Sequence, residues 1–581
     1  MNDQSATPSA SIASFIPELD TLATAAMADW KVPGVALAVV QDGKVALLRA
    51  WGQRNVEKNL PVTPDTQFLI CSITKSFTAT AVALLQSEGK LDWSKPVRDY
   101  LPEFRMHDAV ATDRVTILDL LSHQSGLPRH DWVHMAGDRT AAEMLPLMRH
   151  LELSRDVRAA WQYNNLGYNV LGVLIERVSG QSYESFIRQR LTDRLGMSVS
   201  FTLGELEASS EPAAAYMMNE NTRLPALRLP IRTIAGGALN TSVKGLANWM
   251  LLHLGKGEFS GEQLVPPNLI GALHAPRAWN SVPGDNSEFG EAAHYGLGFQ
   301  SGSYLGDRVI QHSGGWVGWG TLMTLWPDFG FGIAVFTNRS PSDVTQILTW
   351  HIADRLRGRE PVNFHERYRK RRDEFLAHMQ VDKDARERTR HKDTRPAHAL
   401  ADYAGNYEHP AYGTMSIVHE DDVLRWSWRG MWAPLGHRHY ETFETPAVPD
   451  RLLPDLLPLT FLTDRGGNIV SLSAPLEPMV KDIVFTRLPS GESTDPAFRK
   501  ACVGTFKSGD NTHRVTQDSE GNLFLKPERQ PQYRLAPQQG RKFRIVELEG
   551  FVVEFTGEGA GVDRIIFHQP NGTFIAERVA E

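Results

Sequence analysis

The sequence predicts a protein of the α/β (α+β) class, with an antiparallel sheet flanked by helices in residues 1–355 and two small antiparallel β-barrels after it. Up to about residue 355, apolar helical runs alternate with short strands rich in β-branched residues, the pattern of a layered domain. Beyond about residue 399, helical periodicity fades, and short alternating strands with Gly, Pro and Asp turns take over. A repeat in this second part favours two successive barrels.

Two hairpins define the predicted sheet. Residues 35–40 and 44–50 are apolar, strand-like runs on either side of Asp42-Gly43, a dipeptide typical of a tight turn. Residues 322–326 and 333–337 form a second pair with a turn between them. We expect these four strands to form one antiparallel sheet, built from both ends of the domain, with helices packed on its faces.

A highly charged stretch separates the two parts. Its centre, residues 365–374, reads His-Glu-Arg-Tyr-Arg-Lys-Arg-Arg-Asp-Glu. Arginines alone would suggest a patch for nucleic acid or a membrane, but the interspersed acidic residues favour a solvated linker helix. The predicted domains are the layered domain at 1–355, a charged helical linker at 356–398, and the barrels at 399–490 and 491–581.

The division into two barrels follows from the repeat. The segment 403–407 leads to a strand-like run at 423–426, and the segment 502–506 leads to one at 522–525, with the same spacing. Each copy later ends in another predicted strand, at 483–488 and at 573–579. Each copy therefore has the elements of one small closed sheet.

Composition and charge exclude several functional classes. The chain has 581 residues, of which 41% are hydrophobic and 22% charged, as in a globular protein longer than one ordinary domain. A net charge of −7 and a pI near 6.3 give no overall attraction to nucleic acid or to an anionic membrane. The first ten residues lack a basic region and a long apolar run. We therefore expect no secretory signal, no membrane contact and a cytoplasmic location, or a periplasmic one if a leader was removed.

The most informative local pattern is Ser72-Ile-Thr-Lys75, directly before an apolar helical run. The spacing i, i+3 puts both side chains on one face of a helix. A nucleophilic serine needs a neighbour that takes its proton, and a lysine one turn away can do this. The pattern recurs at Ser87 and Lys90, but Gly89 marks a helix C-terminus there, so that serine lacks the positive helix end that would stabilise an oxyanion.

Two further motifs complete a candidate constellation. Tyr163-Asn-Asn165 enters another apolar helix and supplies a phenol and an amide. His312-Ser-Gly-Gly315 follows a short strand, and its glycines allow backbone N–H groups to approach a ligand closely. We therefore interpret the three motifs, which occur in this order along the chain, as parts of one site.

These motifs resemble those of the serine β-lactamase and penicillin-binding-protein superfamily, in particular its class C-like branch of esterases and D-aminopeptidases. Over roughly residues 15–355, the chain matches Ser-x-x-Lys at Ser72, Tyr-x-Asn at Tyr163, and the Lys-Thr-Gly position at His312. The resemblance implies a β-lactamase-like serine hydrolase domain, and the two following barrels, taken as lipocalin-like, resemble the layout of D-aminopeptidases. Other segments that look like the family are 120–127, 235–239 and 330–338.

The resemblance also implies a role for each motif residue. Ser72 would attack a carbonyl to give an acyl-enzyme, with Tyr163 as the general base and Lys75 lowering the pKa of its phenol. The backbone N–H groups of Ser72 and Gly315 would form the oxyanion hole, and Asn165 would hold Lys75 or the substrate amide. The predicted substrate-binding and oxyanion residues are Asn165, Ser313, Gly314 and Gly315. No cofactor is implied.

His312 is the main departure from the family pattern, because β-lactamases usually carry a lysine there that meets the substrate carboxylate. A neutral imidazole attracts a carboxylate less than an ammonium does. Histidine at this position is seen in the esterases and D-aminopeptidases of the family. We therefore expect weak or no β-lactamase activity and count His312 among the catalytic residues.

The functional prediction is a serine hydrolase that cleaves an amide or peptide bond, including in peptides with D- or other non-standard residues. A carboxylesterase and a catalytically silent binding module remain alternatives, although the intact set of Ser72, Lys75 and Tyr163 argues against silence. The expected partner is a small-molecule or peptide substrate, without nucleic acid or membrane, and a homo-oligomer is an open possibility.

Three other features receive simpler interpretations. Cys71 lacks a histidine motif of its own and reads as a packing residue, and two cysteines are too few for a disulfide framework. His130 and His134 lack the glutamate of a metalloprotease helix, so we assign them to a surface loop and expect no metal. A barrel loop can reach the active-site mouth in D-aminopeptidases, and residues 429–432 or 510–513 are candidate tips, unless the barrels only stabilise the protein or mediate oligomerisation.

Overall fold

The computed structural model divides the chain into two compact units. Of the described residues, the first unit contains those up to 389 together with 476–481, and the second contains the rest. The structure describes residues 12–135, 139–219, 222–226, 234–280, 294–446, 456–548, 550–559 and 561–579. The first ten residues, on which the expectation of no secretory signal rests, lie outside this range. Within it, no helix is long and apolar enough to cross a membrane.

A nine-stranded antiparallel sheet forms the centre of the first unit, in the order β10-β11-β12-β13-β14-β15-β1-β2-β3. Its strands are β1 (Gly34–Gln41), β2 (Lys44–Asn55), β3 (Leu60–Pro61), β10 (Ala278–Trp279), β11 (His294–Tyr295), β12 (Gln300–Tyr304), β13 (Asp307–Trp316), β14 (Trp319–Trp326) and β15 (Phe331–Thr337). Short pairs outside this sheet are β4 (Phe68–Leu69) with β7 (Asn240–Thr241), β5 (Tyr216–Asn219) with β6 (Thr222–Pro225), and β8 (Glu258–Phe259) with β9 (Glu262–Gln263).

Both predicted hairpins are confirmed, and they join at the middle of the sheet. Strand β1 pairs with β2 and, on its other side, with β15, so the two ends of the domain share one sheet. Every residue of β15 and all but the last of β1 are buried. This burial explains their uninterrupted apolar sequences, since helices cover both faces.

Helices of the first unit pack on the sheet and on one another. They are α1 (Ile16–Asp29), α2 (Thr74–Ser87), α3 (Ala109–Arg114), α4 (Ile117–Leu121), α5 (Ala141–Met144), α6 (Asn165–Ser179), α7 (Tyr183–Ile187), α8 (Leu203–Glu207), α9 (Ile234–Gly237), α10 (Val243–Leu254), α11 (Pro267–His274), α12 (Val344–Leu356) and α13 (Phe364–Arg388). Helix α10 lies against β1 and β15, and α12 against β14 and β15. Helix α2 is buried on all sides from Thr74 to Leu85. Helix α13 occupies the charged stretch and buries Phe364 and Tyr368 at its start.

The second unit contains the two predicted barrels, each closed by eight antiparallel strands. The first barrel consists of β16 (Gly405–His409), β17 (Gly413–Glu420), β18 (Val423–Trp428), β19 (Met431–His439), β20 (Thr442–Glu444), β21 (Pro458–Thr463), β22 (Ile469–Ala474) and β23 (Ile483–Arg487), preceded by α14 (Leu400–Tyr403). The second consists of β24 (Gly504–Ser508), β25 (Asn511–Gln517), β26 (Leu523–Pro527), β27 (Tyr533–Pro537), β28 (Lys542–Ile545), β29 (Val552–Thr556), β30 (Arg564–Gln569) and β31 (Gly572–Arg578), preceded by α15 (Pro496–Cys502).

Equivalent contacts close both barrels, which supports the repeat seen in the sequence. In the first barrel, Arg487 on the last strand donates to the backbone carbonyl of Ala404, next to the first strand. In the second barrel, Arg578 donates in the same way to the carbonyl of Val503. At Gly504, with φ of 154°, a Cβ atom would lie 2.3 Å from Nη1 of Arg578, so a larger residue there would require the guanidinium to shift.

Candidate functional site

A short 3₁₀ turn, Cys71–Ile73, presents Ser72 directly before helix α2. Cys71 has φ of 49°, a conformation that non-glycine residues rarely adopt. The hydroxyl of Thr74 closes the turn by donating to the carbonyl of Cys71 at 2.6 Å. Ser72 is partly exposed, whereas Lys75, in the first turn of α2, is completely buried. The turn therefore leaves the serine accessible and places the lysine beneath it.

The amine of Lys75 has three oxygen neighbours. Its Nζ lies 3.1 Å from Oγ of Ser72, 2.8 Å from Oδ1 of Asn165 and 2.6 Å from the carbonyl oxygen of Gly236. Burial and the nearby positive charge of Arg129 hold the pKa of Lys75 well below its usual value. A neutral amine fits these neighbours, because its two N–H groups serve the two carbonyl oxygens and its lone pair faces the serine hydroxyl.

Tyr163 and Asn165 lie at the entry to helix α6. The side chain of Asn164 caps this helix by accepting from the N–H of Gly167 at 2.6 Å, and the backbone N–H of Asn164 donates to Nδ1 of His123 at 3.1 Å. The ring of Tyr163 packs on His123, with 4.3 Å between the ring centres. These contacts fix the loop that carries both predicted site residues.

Tyr163 lies beside Ser72 and Lys75, and Nζ of Lys75 is 4.8 Å from the centre of its ring. Burial raises the pKa of this phenol, and the neighbouring Ser72 hydroxyl and the charge of Arg129 only partly offset that effect. The hydroxyl of Tyr163 is therefore protonated at neutral pH. Because the pKa of Lys75 shifts in the opposite direction, the lysine is the stronger candidate to accept the serine proton.

Strand β13 brings the third motif beside the nucleophile turn. At Gly314, a Cβ atom would lie 2.3 Å from the carbonyl oxygen of Ile70 and 2.9 Å from Cβ of Cys71. The hydroxyl of Thr321, opposite Gly314 on β14, donates to the same carbonyl at 3.0 Å. Glycine is thus required for the close approach of the strand, whereas Ser313 and Gly315 on either side are exposed.

Both ring nitrogens of His312 are engaged by the protein. Nδ1 donates to the carbonyl of Ser313 at 2.7 Å, and Nε2 accepts from the hydroxyl of Tyr295 at 2.9 Å. Burial and the neighbouring Lys75 lower the pKa of His312 to about 3. The imidazole is therefore neutral at physiological pH and lies 6.4 Å from the ring of Tyr163, centre to centre.

Three groups that the sequence did not indicate belong to the same network. Asp131 accepts from Nδ2 of Asn165 at 3.0 Å and pairs with Nε of Arg129 at 2.6 Å. The third group is the carbonyl of Gly236, which lies in one of the family-like segments but had no assigned role. Asp131 lies between His130 and His134, and in the sequence these two histidines suggest a metal site more readily than a role for the aspartate.

The interpretation of His130 and His134 as surface-loop residues is wrong, because both are buried. Nε2 of His130 bonds the carbonyl of Glu152 at 2.9 Å, and Nε2 of His134 bonds Oδ1 of Asp131 at 2.9 Å. The N–H of His130 donates to Oε2 of Glu477, in the segment 476–481 of the same unit, at 2.8 Å. Cys71 is buried and the pKa of its thiol is raised, in keeping with a packing role.

Comparison with known families gives two matches along the chain. The family model described as "Beta-lactamase" matches residues 19–357, which contain all three motifs. A model described as "Domain of unknown function (DUF3471)" matches residues 389–487, which contain the first barrel.

Several curated proteins and solved structures are similar to the chain. "Unguisins hydrolase ungD'" of Aspergillus campestris is 27% identical over 417 residues, covering 68% of this chain and 76% of that protein. "Protein flp" of Staphylococcus aureus is 26% identical over 340 residues, covering 57% of this chain and 64% of that protein. The octameric penicillin-binding protein homologue from Pyrococcus abyssi superposes with a TM-score of 0.53 at 23% identity, covering 81% of this chain and all of that one. At 23% identity, the similarity to the Pyrococcus abyssi structure concerns the fold alone.

Proposed function

The chain belongs to the β-lactamase family, and from this premise we propose that it is a serine hydrolase that cleaves an amide or peptide bond through an acyl-enzyme on Ser72. The observation that carries the proposal is the position of Lys75, whose buried amine lies 3.1 Å from the serine oxygen. One of the similar proteins, that of Aspergillus campestris, is named as a hydrolase. The catalytic residues we propose are Ser72, Lys75, Tyr163 and His312.

Acylation begins with transfer of the Ser72 proton to Nζ of Lys75. The serine oxygen then bonds to the substrate carbonyl carbon, and the N–H groups of Ser72 and Gly315 stabilise the resulting oxyanion. Collapse of the intermediate breaks the bond to the leaving group, and water later attacks the acyl-enzyme by the same steps. Asn165 holds the amine between these transfers, because its Oδ1 accepts from Nζ at 2.8 Å.

The protonated phenol of Tyr163 favours an amide over an ester substrate. An amine leaving group must gain a proton as its bond to carbon breaks, whereas an alkoxide or phenoxide can leave more readily without one. Because Tyr163 lies beside Ser72 and Lys75, with Nζ of Lys75 4.8 Å from the centre of its ring, its hydroxyl is suitably placed to give that proton and to regain one from Lys75. His312 has no free ring nitrogen and no positive charge for a β-lactam carboxylate, so we propose little β-lactamase activity.

The test compares wild type, Ser72→Ala and the matched control Ser87→Ala, whose hydroxyl bonds the carbonyl of Leu84 in the second Ser-x-x-Lys pattern. Substrates are D- and L-alanyl p-nitroanilides, a longer peptide, p-nitrophenyl acetate and nitrocefin, with intact-mass detection of an adduct. We expect anilide or peptide cleavage that Ser72→Ala abolishes and Ser87→Ala retains. Ester turnover alone would favour the carboxylesterase alternative, and turnover by Ser72→Ala would refute the mechanism.

A further inference from the structure

Arg129 lies at the edge of the proposed site and has unused hydrogen-bond donors. Its guanidinium carbon lies 5.2 Å from the centre of the Tyr163 ring, and its Nε bonds Oδ2 of Asp131. About half of the side chain is exposed (52%). Within the described parts of the chain, Nη1 and Nη2 make no hydrogen bond to protein. The two terminal nitrogens of the guanidinium are therefore available to donate to a bound molecule.

The other basic side chains near the nucleophile do not offer a permanent charge. Lys75 and His312 are buried and neutral, as argued above, and burial together with nearby positive charge also keeps the pKa of His123 well below its usual range. An arginine remains charged at any physiological pH. Of these four basic side chains, Arg129 is therefore the one that offers a substrate an exposed, permanent positive charge.

Two acidic neighbours fix Arg129 without occupying its terminal nitrogens. Asp131 binds Nε, and Glu477 accepts from the next backbone N–H, that of His130, which has a left-handed conformation with φ of 44°. The two carboxylates offset positive charge locally, so an anion would be recognised through directed hydrogen bonds more than through net charge. Guanidinium groups bind carboxylates in this way, with two parallel N–H···O bonds.

Resting on the proposed function, we propose that Arg129 is a specificity-determining residue that binds a carboxylate of the substrate through Nη1 and Nη2. This role would supply, from another part of the fold, the cation that His312 does not provide. It goes beyond the motif residues, because neither the Ser-x-x-Lys nor the Tyr-x-Asn pattern includes this position. Substrates with a carboxylate close to the scissile bond should be cleaved in preference to their neutral analogues.

The first test uses matched substrates that differ only in a carboxylate. On the acyl side these are N-succinyl-D-alanyl p-nitroanilide and the analogue whose succinyl carboxylate is a carboxamide, and on the leaving-group side they are N-acetyl-D-alanyl-D-alanine and its C-terminal amide. We expect Arg129→Gln to reduce the ratio of kcat/KM between the charged and neutral members by about 10- to 100-fold, mainly through KM, on the side where the carboxylate binds. The ratio for Arg129→Lys should lie between those of wild type and Arg129→Gln, because lysine keeps the positive charge but cannot form two parallel hydrogen bonds.

Arg155→Gln is the matched control, since Arg155 is exposed in a nearby segment and its side chain bonds only the carbonyl of Ser154 among the described residues. It should leave the ratio unchanged. An equal loss on both members of each pair, with a shifted pH profile, would overturn the proposal and show that Arg129 acts on the phenol of Tyr163. An unchanged ratio in Arg129→Gln would also overturn it.

A binding measurement separates failure of this inference from failure of the proposed function. A fluorophosphonate probe should label Ser72, and N-acetyl-D-alanine should slow labelling of wild type more than its primary amide does. If Ser72 is labelled but the acid and the amide protect equally in wild type and in Arg129→Gln, the role of Arg129 is refuted while the nucleophile stands. If Ser72 is not labelled at all, the proposed function fails and the inference fails with it.

Discussion

Replacing Lys75 by methionine tests whether the buried amine is neutral in the folded protein. Lys75 is fully buried, and its pKa is well below the ordinary value of a lysine, which is about 10.4 in an unfolded chain. Between the folded pKa and the unfolded pKa, the unfolded state binds one proton that the folded state does not. The free energy of unfolding therefore rises with pH across this window, and it falls as the pH drops toward the folded pKa.

The expected magnitude is a slope of about 1.4 kcal/mol per pH unit from this one group, within the window between the two pKa values. Lys75→Met removes this slope, so the difference in unfolding free energy between wild type and variant should grow steadily with pH up to about pH 10. The absolute offset also contains the carbonyl oxygens of Asn165 and Gly236, which lose a donor at about 1–3 kcal/mol each. This offset does not depend on pH in the same way, so the pH slope of the unfolding free energy, and not its absolute value, shows whether Lys75 is neutral.

The assay is urea denaturation of both proteins at half-unit steps from pH 6 to 10, with Lys90→Met as the matched control. Lys90 belongs to the second Ser-x-x-Lys pattern, and its side chain is half-exposed beside Glu88. Lys90→Met therefore shows the effect on stability of removing a lysine that is not buried. Parallel stability curves for wild type and Lys75→Met would refute the neutral amine. Lys75 would then be charged in the fold, and Tyr163 would have to accept the serine proton.

Three further predictions concern the neighbours of Lys75. Tyr163→Phe keeps the ring contact with His123 and removes the hydroxyl, so we expect a loss in kcat of about 10²–10⁴-fold, larger for an anilide than for an ester, measured at steady state. Asp131→Asn should make stability fall less steeply in acid. Burial raises the pKa of the Asp131 carboxyl, but His134 and Arg129 lower it more strongly, so the carboxylate stabilises the fold above about pH 4 and this contribution is lost as the pH falls. Acid titration followed by circular dichroism checks this prediction. Gly314→Ala should destabilise the protein by about 1–3 kcal/mol in urea, whereas Gly315→Ala, with open space at its Cβ, should not.

The sequence predicted the centre of the sheet better than its edge. Strands β1 and β15 have long apolar runs because both of their faces are buried, and these runs can be recognised without a structure. Strand β12 reads Gln-Ser-Gly-Ser-Tyr, and β3, β10 and β11 contain two residues each. Such segments carry no periodic signal, since their pairing is decided by neighbouring strands and not by their own side chains.

The motif residues of the site could be predicted because their chemistry requires particular side chains at a fixed spacing. Their supporting groups could not be predicted in the same way. The carbonyl of Gly236 lies 161 residues from Lys75 in the chain, and any residue type supplies a carbonyl. Asp131 is separated from its partner Asn165 by 34 residues. The histidines on either side of it suggest a metal site and give no sign of this hydrogen bond. The local spacing of residues cannot reveal contacts of this kind.

The two Ser-x-x-Lys patterns at the ends of helix α2 show why spacing alone does not make a base. Ser87 donates to the carbonyl of Leu84, and Lys90 keeps a solvated ammonium beside Glu88. At the other end, Lys75 is enclosed by α6, α9 and the nucleophile turn, and two carbonyl oxygens take both of its N–H groups. A charged ammonium would have a third proton directed at Ser72, and it could not then accept the serine proton. The basicity we propose for Lys75 therefore depends on burial and on two acceptors for its two N–H groups, and a substitution that admits water at Lys75 should weaken the base even where Ser72 and Lys75 are unchanged.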